Sequence, residues 1–329
     1  MPANLTPQYF AAEQRWREAA TIEEQISALR EMLSVMPKHK GTDKLQADLK
    51  KRIAKLQQEA KAQKKAGGRR SEPGYVPKEG AGQVAVIGPP NSGKSSFINA
   101  VTHAHPEIGG YPFTTQKPLA AMWPYEDIQI QLVDTPAISD QFTPPWMTNL
   151  IRLADLALLI VDLGDHPVAQ AQNVIDYMSN TSTHLSGRGG LHDGQESIAL
   201  VKTIITGSKK ERPGADGTLA DLGSRFGDEY QILSFSAQTG EGLEELKGLI
   251  FHALQVVRVY TKEPGAKPDL QQPYVLKRGS TVLDLAATIH RDFSHQLKSA
   301  RIWGSGKYDG QKVHKDHVLE DRDIIELHL

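Results

Sequence analysis

Cysteine is absent from this 329-residue chain, which excludes disulfides, thiolate metal sites and thiol nucleophiles and fits a reducing compartment. Long apolar runs are missing as well. Nothing approaches the ~18 uninterrupted apolar residues of a membrane helix, and the opening MPANLTPQYFAAEQRW holds no apolar signal core. The expectation is a soluble, cytoplasmic protein with no membrane partner. Charge of one sign is lacking overall, the formal net charge being -1, so the chain as a whole is no polycation. There is no serine nucleophile elbow and no identifiable acid–base carboxylate pair, and His290, His295, His314 and His317 stand without the carboxylate or cysteine spacing of a metal site. Surface histidines are the expectation there.

What is present divides the chain into parts. Its length exceeds one comfortable core, which predicts two or three domains. Residues 7–66 read as helices: Thr6-Pro7 is a cap with a first-turn proline, and TIEE from Thr21 has the form of a capping box. Ile22, Ile26, Leu29, Leu33 and Met36 keep helical spacing, and Leu45, Leu49, Ile53 and Leu56 repeat it, predicting a helical hairpin over 1–66. Residues 36–70 hold twelve Lys/Arg against three Asp/Glu, a one-sided run suited to an RNA backbone, although a charge run is usually a solvated helix face. Gly, Pro and charge mark a linker over 67–82.

From 83 to 262, the runs QVAVI, IQIQLV, LALLIVDL, VKTIIT and QILSFSA alternate with helical patterns, predicting an α/β domain with a mostly parallel, helix-covered sheet. The polar 179–197 stretch predicts an exposed, mobile loop. Residues 273–329, with YVLK, a helix from Leu283 to about Arg291 and a terminal DIIELHL, suit a small β-grasp unit.

The chemistry concentrates at VAVIGPPNSGKSSFINAV, residues 84–101. Gly88, Gly93, Lys94 and Ser95 fit the phosphate-loop pattern with a strand before and a helix after. Glycines let backbone N–H groups turn toward phosphate oxygens, the helix N-terminus adds a favourable dipole, Lys94 reaches the β/γ-phosphates and Ser95 ligates Mg²⁺. Ser92 and Ser96 belong to the same nucleotide-binding stretch. Downstream, IQIQLVDTPA ends a strand in Asp134, placed to hold the Mg²⁺ shell, and YPFTT lies between the phosphate loop and that strand, where a switch segment supplies a threonine to Mg²⁺.

With these motifs the chain resembles the Obg/DRG family of developmentally regulated GTP-binding proteins. GPPNSGKSSFINAVT looks like the family's first motif, GGYPFTTQKP its second, DTPAI its third and SAQTGEGLEEL its fifth, while the last module resembles a TGS domain, a ubiquitin-like β-grasp fold. The resemblance implies a P-loop GTPase domain between a helical leader and a TGS domain, GTP and GDP as ligands, Mg²⁺ as cofactor with Thr115 of the second motif as a further metal ligand and catalytic-site residue, slow intrinsic hydrolysis, and a link to ribosomes or RNA through the basic helices and the TGS domain. A stabilising protein partner is implied as well.

Departures from the family pattern sharpen the expectations. Ala137 replaces a motif-three glycine, which would damp switching. Ser208, Lys209, Lys210 and Glu211 fall on the four positions of the base-reading motif, with Ser for Asn and Glu for Asp. The shorter serine is expected to brace less, and the longer glutamate to reach guanine only if its loop shifts. Ser236, Ala237 and Gln238 match the fifth motif. Ile138, standing where many GTPases carry a water-positioning glutamine, can orient no water. Asn91 resembles the asparagine that helps bind K⁺ in potassium-activated relatives. An ATP-preferring or relaxed site, or a nucleotide-stabilised binding module with vestigial hydrolysis, stays open at this point.

Overall fold

The computed structural model describes residues 22–35, 49, 51–52, 75–102, 118–139, 143–187 and 199–328. The expected capping residues at Thr6 and Thr21, most of the second helix with its lysines, and the second motif with Thr115 lie outside the described residues. The chain divides into two compact units, residues 1–75 and 76–329. In the first, helix α1 (Ile22–Val35) buries Ala28, Leu29 and Met32, a one-turn repeat on one face.

The second unit is built on two sheets. Among the described residues the first has seven strands: β1 (Gln83–Ile87), β2 (Leu119–Tyr125), β3 (Ile128–Asp134), β4 (Leu156–Asp162), β5 (Thr183–Ser186), β6 (Ala199–Ser208) and β7 (Gln231–Ser234). Their order is β2-β3-β1-β4-β6-β5, with β7 also on β6. All pairings are parallel except β2 with β3. Helices α2 (Lys94–Thr102), α3 (Pro145–Leu153), α4 (Pro167–Asn180), α5 (Ala215–Phe226) and α6 (Leu243–Leu254) cover it.

Strand alternation sorts this core into two layers. Val84, Val86, Leu156, Leu158 and Ile160 pack with Phe97, Ile98 and Val101 of α2 and Leu246, Ile250 and Leu254 of α6. Ala85, Ile87, Leu159 and Val161 turn the other way onto Met147 and Ile151 of α3, Val174 and Met178 of α4, and Leu222 and Phe226 of α5. With both faces covered, β1 and β4 are buried at every position, which explains why they read as unbroken apolar runs.

Two elements depart from expectation. The stretch 179–197, expected as an exposed loop, contains β5, whose Thr183 and Leu185 are buried. The strand is held from outside its own sequence: Arg152 Nε donates to Thr183 Oγ1 at 2.7 Å and the Tyr230 hydroxyl to the Leu185 carbonyl at 2.8 Å. Strand β2, absent from the expected strand runs, runs through Pro124, and a sheet edge is where a missing N–H is tolerated.

The second sheet has the order β11-β10-β12-β8-β9, from β8 (Val256–Thr261), β9 (Asp269–Lys277), β10 (Ser299–Trp303), β11 (Gln311–Val313) and β12 (Asp323–His328), with helices α7 (Val282–Ile289) and α8 (Arg291–Gln296). Among the described residues of this sheet, only β12 and β8 pair in parallel. Thr281 and Asp284 close a capping box on α7, which drops Val282 and Leu285 onto Val257, Val259, Ile302 and Ile325. This mixed sheet grasping a helix is the expected architecture, with one correction. The run VVRVY, placed before a boundary at residue 262, belongs to the second sheet, because its alternate residues Val257 and Val259 face α7 rather than the first core. A single residue, Gln255 with φ 53°, separates α6 from β8.

That short junction is reinforced by charge. Arg258 on β8 is buried and meets Glu126 and Asp127 of the β2–β3 turn, the latter at 2.9 Å, and Asp321 at 2.7 Å. The Tyr260 hydroxyl donates to Asp127, and Arg322 adds a second cation on Glu126 at 2.7 Å.

Candidate functional site

Five parallel strands end along one edge of the first sheet, where helix N-termini and loops make the ligand crevice of open α/β folds. Register puts Val86 beside Asp134 and beside Leu158, Asp162 beside Ser208, and Gly207 beside Ser234. The residues following β1, β3, β4, β6 and β7 are therefore gathered by topology, although they span residues 88–238 of the sequence.

The loop after β1 has the backbone the glycines predict. Gly88 has φ 154°, and a Cβ there would sit 2.3 Å from the Ile160 carbonyl oxygen. Gly93 has φ 95° and a Cβ would press on Ser208 at 3.2 Å. Asn91 takes φ 60° and is exposed at the crown, while the buried Ser92 hydroxyl has no hydrogen-bond partner among the described residues.

Lys94 opens α2 yet is only 7% exposed. Its ammonium donates to the Gly88 carbonyl at 3.1 Å and the Pro89 carbonyl at 2.8 Å, two neutral acceptors. Burial brings its pKa down to about 8, with Asp134 opposing the shift. Ser95 Oγ donates to Asp134 Oδ2 at 3.2 Å. Burial pushes the Asp134 carboxyl above its ordinary value, against the Ser95 hydrogen bond and the Lys94 charge, and its Oδ1 is buried without a partner among the described residues. A cation short of anions beside a carboxylate oxygen short of donors is the arrangement that a phosphate and a hard metal ion would complete.

The segment after β3 is tied to this loop. Thr135 Oγ1 donates to the Val86 carbonyl at 2.7 Å and the Ile138 N–H to the Gly88 carbonyl at 3.0 Å. Ala137 takes no left-handed backbone, so in this conformation its methyl group costs nothing. Ile138 is buried against the layer formed by Ala85, Ile87 and Met147, so its side chain points away from any water near the phosphates.

At the end of β6, Ser208 Oγ reaches the Ser92 carbonyl at 2.7 Å and the Val161 carbonyl at 3.2 Å. The serine thus braces the phosphate loop directly, contrary to the expected loss of bracing, because β6 brings Ser208 against Gly93. Lys209 Nζ donates to the Asn91 carbonyl at 3.1 Å and to Asp162. Lys210 pairs with Glu241 at 2.7 Å, linking the fourth and fifth motifs, and Glu211 is exposed. Ser236 Oγ accepts the Gln238 and Thr239 N–H groups at 3.3 and 3.1 Å, fixing the turn that carries Ala237. Asp162 was not singled out by sequence; its signal was a carboxylate at the end of LALLIVD, on the ligand edge of a parallel strand.

Fold and site together define a phosphate-loop nucleotide-binding protein. Residues 83–186 match the family described as 50S ribosome-binding GTPase, and residues 257–329 match the TGS domain. An uncharacterized GTP-binding protein of Methanocaldococcus jannaschii is 30% identical, with 92% of each chain covered. Developmentally-regulated GTP-binding protein 1 of Xenopus laevis is 27% identical over 85% of this chain and 91% of its own. Among solved structures, the Schizosaccharomyces pombe YchF GTPase superposes with a TM-score of 0.52 at 14% identity, covering 78% of this chain and all of that one, a likeness of fold alone. The chain belongs to the family of developmentally regulated GTP-binding proteins: it is a GTP-binding GTPase with a TGS domain.

Proposed function

We propose that GTP is bound and hydrolysed at the corner after β1, with Lys94, Ser95 and Asp134 as the chemical core. The observation that carries this reading is the combination of an under-compensated buried ammonium on Lys94, at the start of a helix, with an Oδ1 of Asp134 that has no partner among the described residues. Phosphoryl transfer spreads charge over the γ-phosphate oxygens and needs positioning and electrostatic stabilisation more than covalent chemistry. Lys94 and the N–H groups of Ser92, Gly93 and Ser95 would meet that charge. The partnerless Asp134 oxygen and the Ser95 hydroxyl fit Mg²⁺, with Thr115 as a further candidate; once bound, the ion would neutralise the β- and γ-oxygens. Ser96 follows on the same helical turn.

Specificity for guanine falls to Lys209, Glu211 and the Ser236–Gln238 turn, with Ser208 holding the loop beneath. Ile138 leaves the attacking water without a side-chain positioner, so intrinsic turnover is slow. K⁺ at exposed Asn91 would supply the missing charge, a role worth roughly 10³ to 10⁵ in rate when an arginine performs it. The chain works in the cytoplasm with ribosomes or RNA, engaged by the basic N-terminal region and the TGS domain, alongside a stabilising protein partner. Among the described residues no helix is long and apolar enough to cross a membrane.

The test is GTP turnover in Mg²⁺ with K⁺ or Na⁺, and with GTP competed by ATP. Turnover that needs Mg²⁺, rises with K⁺ and is blocked by GTP analogues but not ATP supports the reading. Equal rates in the two salts remove the Asn91 role, and equal competition removes guanine selectivity. Sedimentation with ribosomes as salt rises tests the RNA partner, a flat dependence counting against it.

A further inference from the structure

The lysine that braces the phosphate loop is itself held by an anion with no place in the reading above. Asp162 ends β4, and its side chain is 8% exposed. Its Oδ1 accepts the Gly164 N–H at 2.8 Å, its own N–H donates to Gln170 Oε1 at 2.9 Å, and its Oδ2 takes the Lys209 ammonium. Arg212, half exposed, is the next cation at 3.8 Å from the same oxygen. The carboxylate is therefore fixed from its own loop and the Asp162 backbone from α4, and Lys209 must come to it.

Two consequences follow from charge and geometry. Lys209 sits in left-handed backbone at φ 61°, which costs energy for a residue with a Cβ, and the Asp162 pair offsets that cost while aiming the ammonium at the Asn91 carbonyl. A buried carboxylate on the phosphate edge of the sheet would also repel a triphosphate unless neutralised. We propose that Asp162 is a positioning residue for the nucleotide: it fixes Lys209 so that one ammonium both holds the loop crown and cancels the carboxylate's field. The proposal rests on GTP binding at this corner and adds the residue that governs its affinity.

The measurement is GTP affinity, by calorimetric titration of the full chain in Mg²⁺, for wild type, Asp162→Asn, Lys209→Met and the double variant, with melting temperature recorded for each. Lys209→Met leaves the carboxylate facing the bound phosphates with only the half-exposed Arg212 at 3.8 Å and is expected to weaken GTP about 30-fold or more. The double variant is expected to bind more tightly than Lys209→Met alone, because the repulsion leaves with Asp162. A purely structural role would lower melting temperatures without this coupling in affinity. Lys209→Arg keeps Asp162 native and is expected to restore most of the loss, an arm independent of whether Asp162→Asn folds. Additive losses in the cycle, or no rescue by arginine, overturn the proposal. A wild type that binds no GTP instead sinks the reading beneath it.

Discussion

Two buried cations in the second unit are held in opposite ways. Arg258, 3% exposed at the junction of the two sheets, faces three carboxylates and lies 5.0 Å from the Phe251 ring. Its hydrogen bond with Asp321 and then those with Glu126 and Asp127 hold its pKa above the ordinary arginine value against burial. Lys94, equally hidden, has two carbonyls, and burial lowers its pKa to about 8. The first cation is finished by the fold and the second is left unfinished. A charge the chain does not neutralise for itself is a site for something the chain does not contain, and the helix N-terminus around Lys94 says that this is an anion.

The largest test of that contrast removes Lys94. Lys94→Ala is expected to lower GTP affinity by roughly 100-fold, since hydrogen bonds to charged groups contribute ~1.5–3 kcal/mol each, and to remove measurable turnover. The melting temperature of the nucleotide-free protein is expected to hold or rise, because a poorly solvated ammonium is gone. Arg258→Met does the reverse. Stranding the carboxylates costs ~3 kcal/mol, the low end for a broken buried pair, because Asp127 and Asp321 keep 20% and 33% exposure. Its melting temperature falls while GTP affinity stays within about threefold.

A third substitution asks whether the position after Ala137 can be repaired. Ile138→Gln places an amide among Ala85, Ile87 and Met147 and is expected to destabilise the fold by ~1–3 kcal/mol without accelerating hydrolysis. Thermal melts and single-turnover hydrolysis read the two quantities separately.

The remaining effects come with pH, at opposite ends of the scale. Glu126 is held below its ordinary value by hydrogen bonds from Arg258 and Arg322, so its contribution is full above the unfolded carboxylate pKa, about 4, and is lost as pH falls toward the folded value. Lys94 has a folded pKa lowered to about 8 from 10.5. The unfolded chain then binds more protons across that interval, so the nucleotide-free protein gains stability as pH rises through it. GTP affinity moves the other way, weakening by up to about tenfold per unit above pH 8 as the ammonium deprotonates. Melts and titrations over pH 3–10 separate the two ends.

Sequence made the unfinished site far more legible than the finished one. The apolar run into Gly88, the lysine and the following helix are contiguous, and Asp134 announces itself by ending a strand. Contacts closed by the fold were invisible: Arg258 and Asp127 are 131 residues apart, Lys209 and Asp162 meet only because β6 and β4 are neighbours, and β5 reads as polar loop because its buried Thr183 is satisfied by Arg152. The allegiance of β8 was hidden for the same reason, its partner β12 lying at the far end of the chain. Ser208 looked like a weakened asparagine until the strand end brought it against the Ser92 carbonyl.

Titrating Mg²⁺–GTP into wild type and Lys94→Ala, each melted with and without the nucleotide, puts the contrast between the two cations to its hardest trial. Wild type is expected to bind and to melt higher when saturated, while the variant binds about 100-fold more weakly yet melts no lower than wild type when both are free of nucleotide. Equal affinities, or a nucleotide-free variant that unfolds as readily as Arg258→Met, would contradict the account.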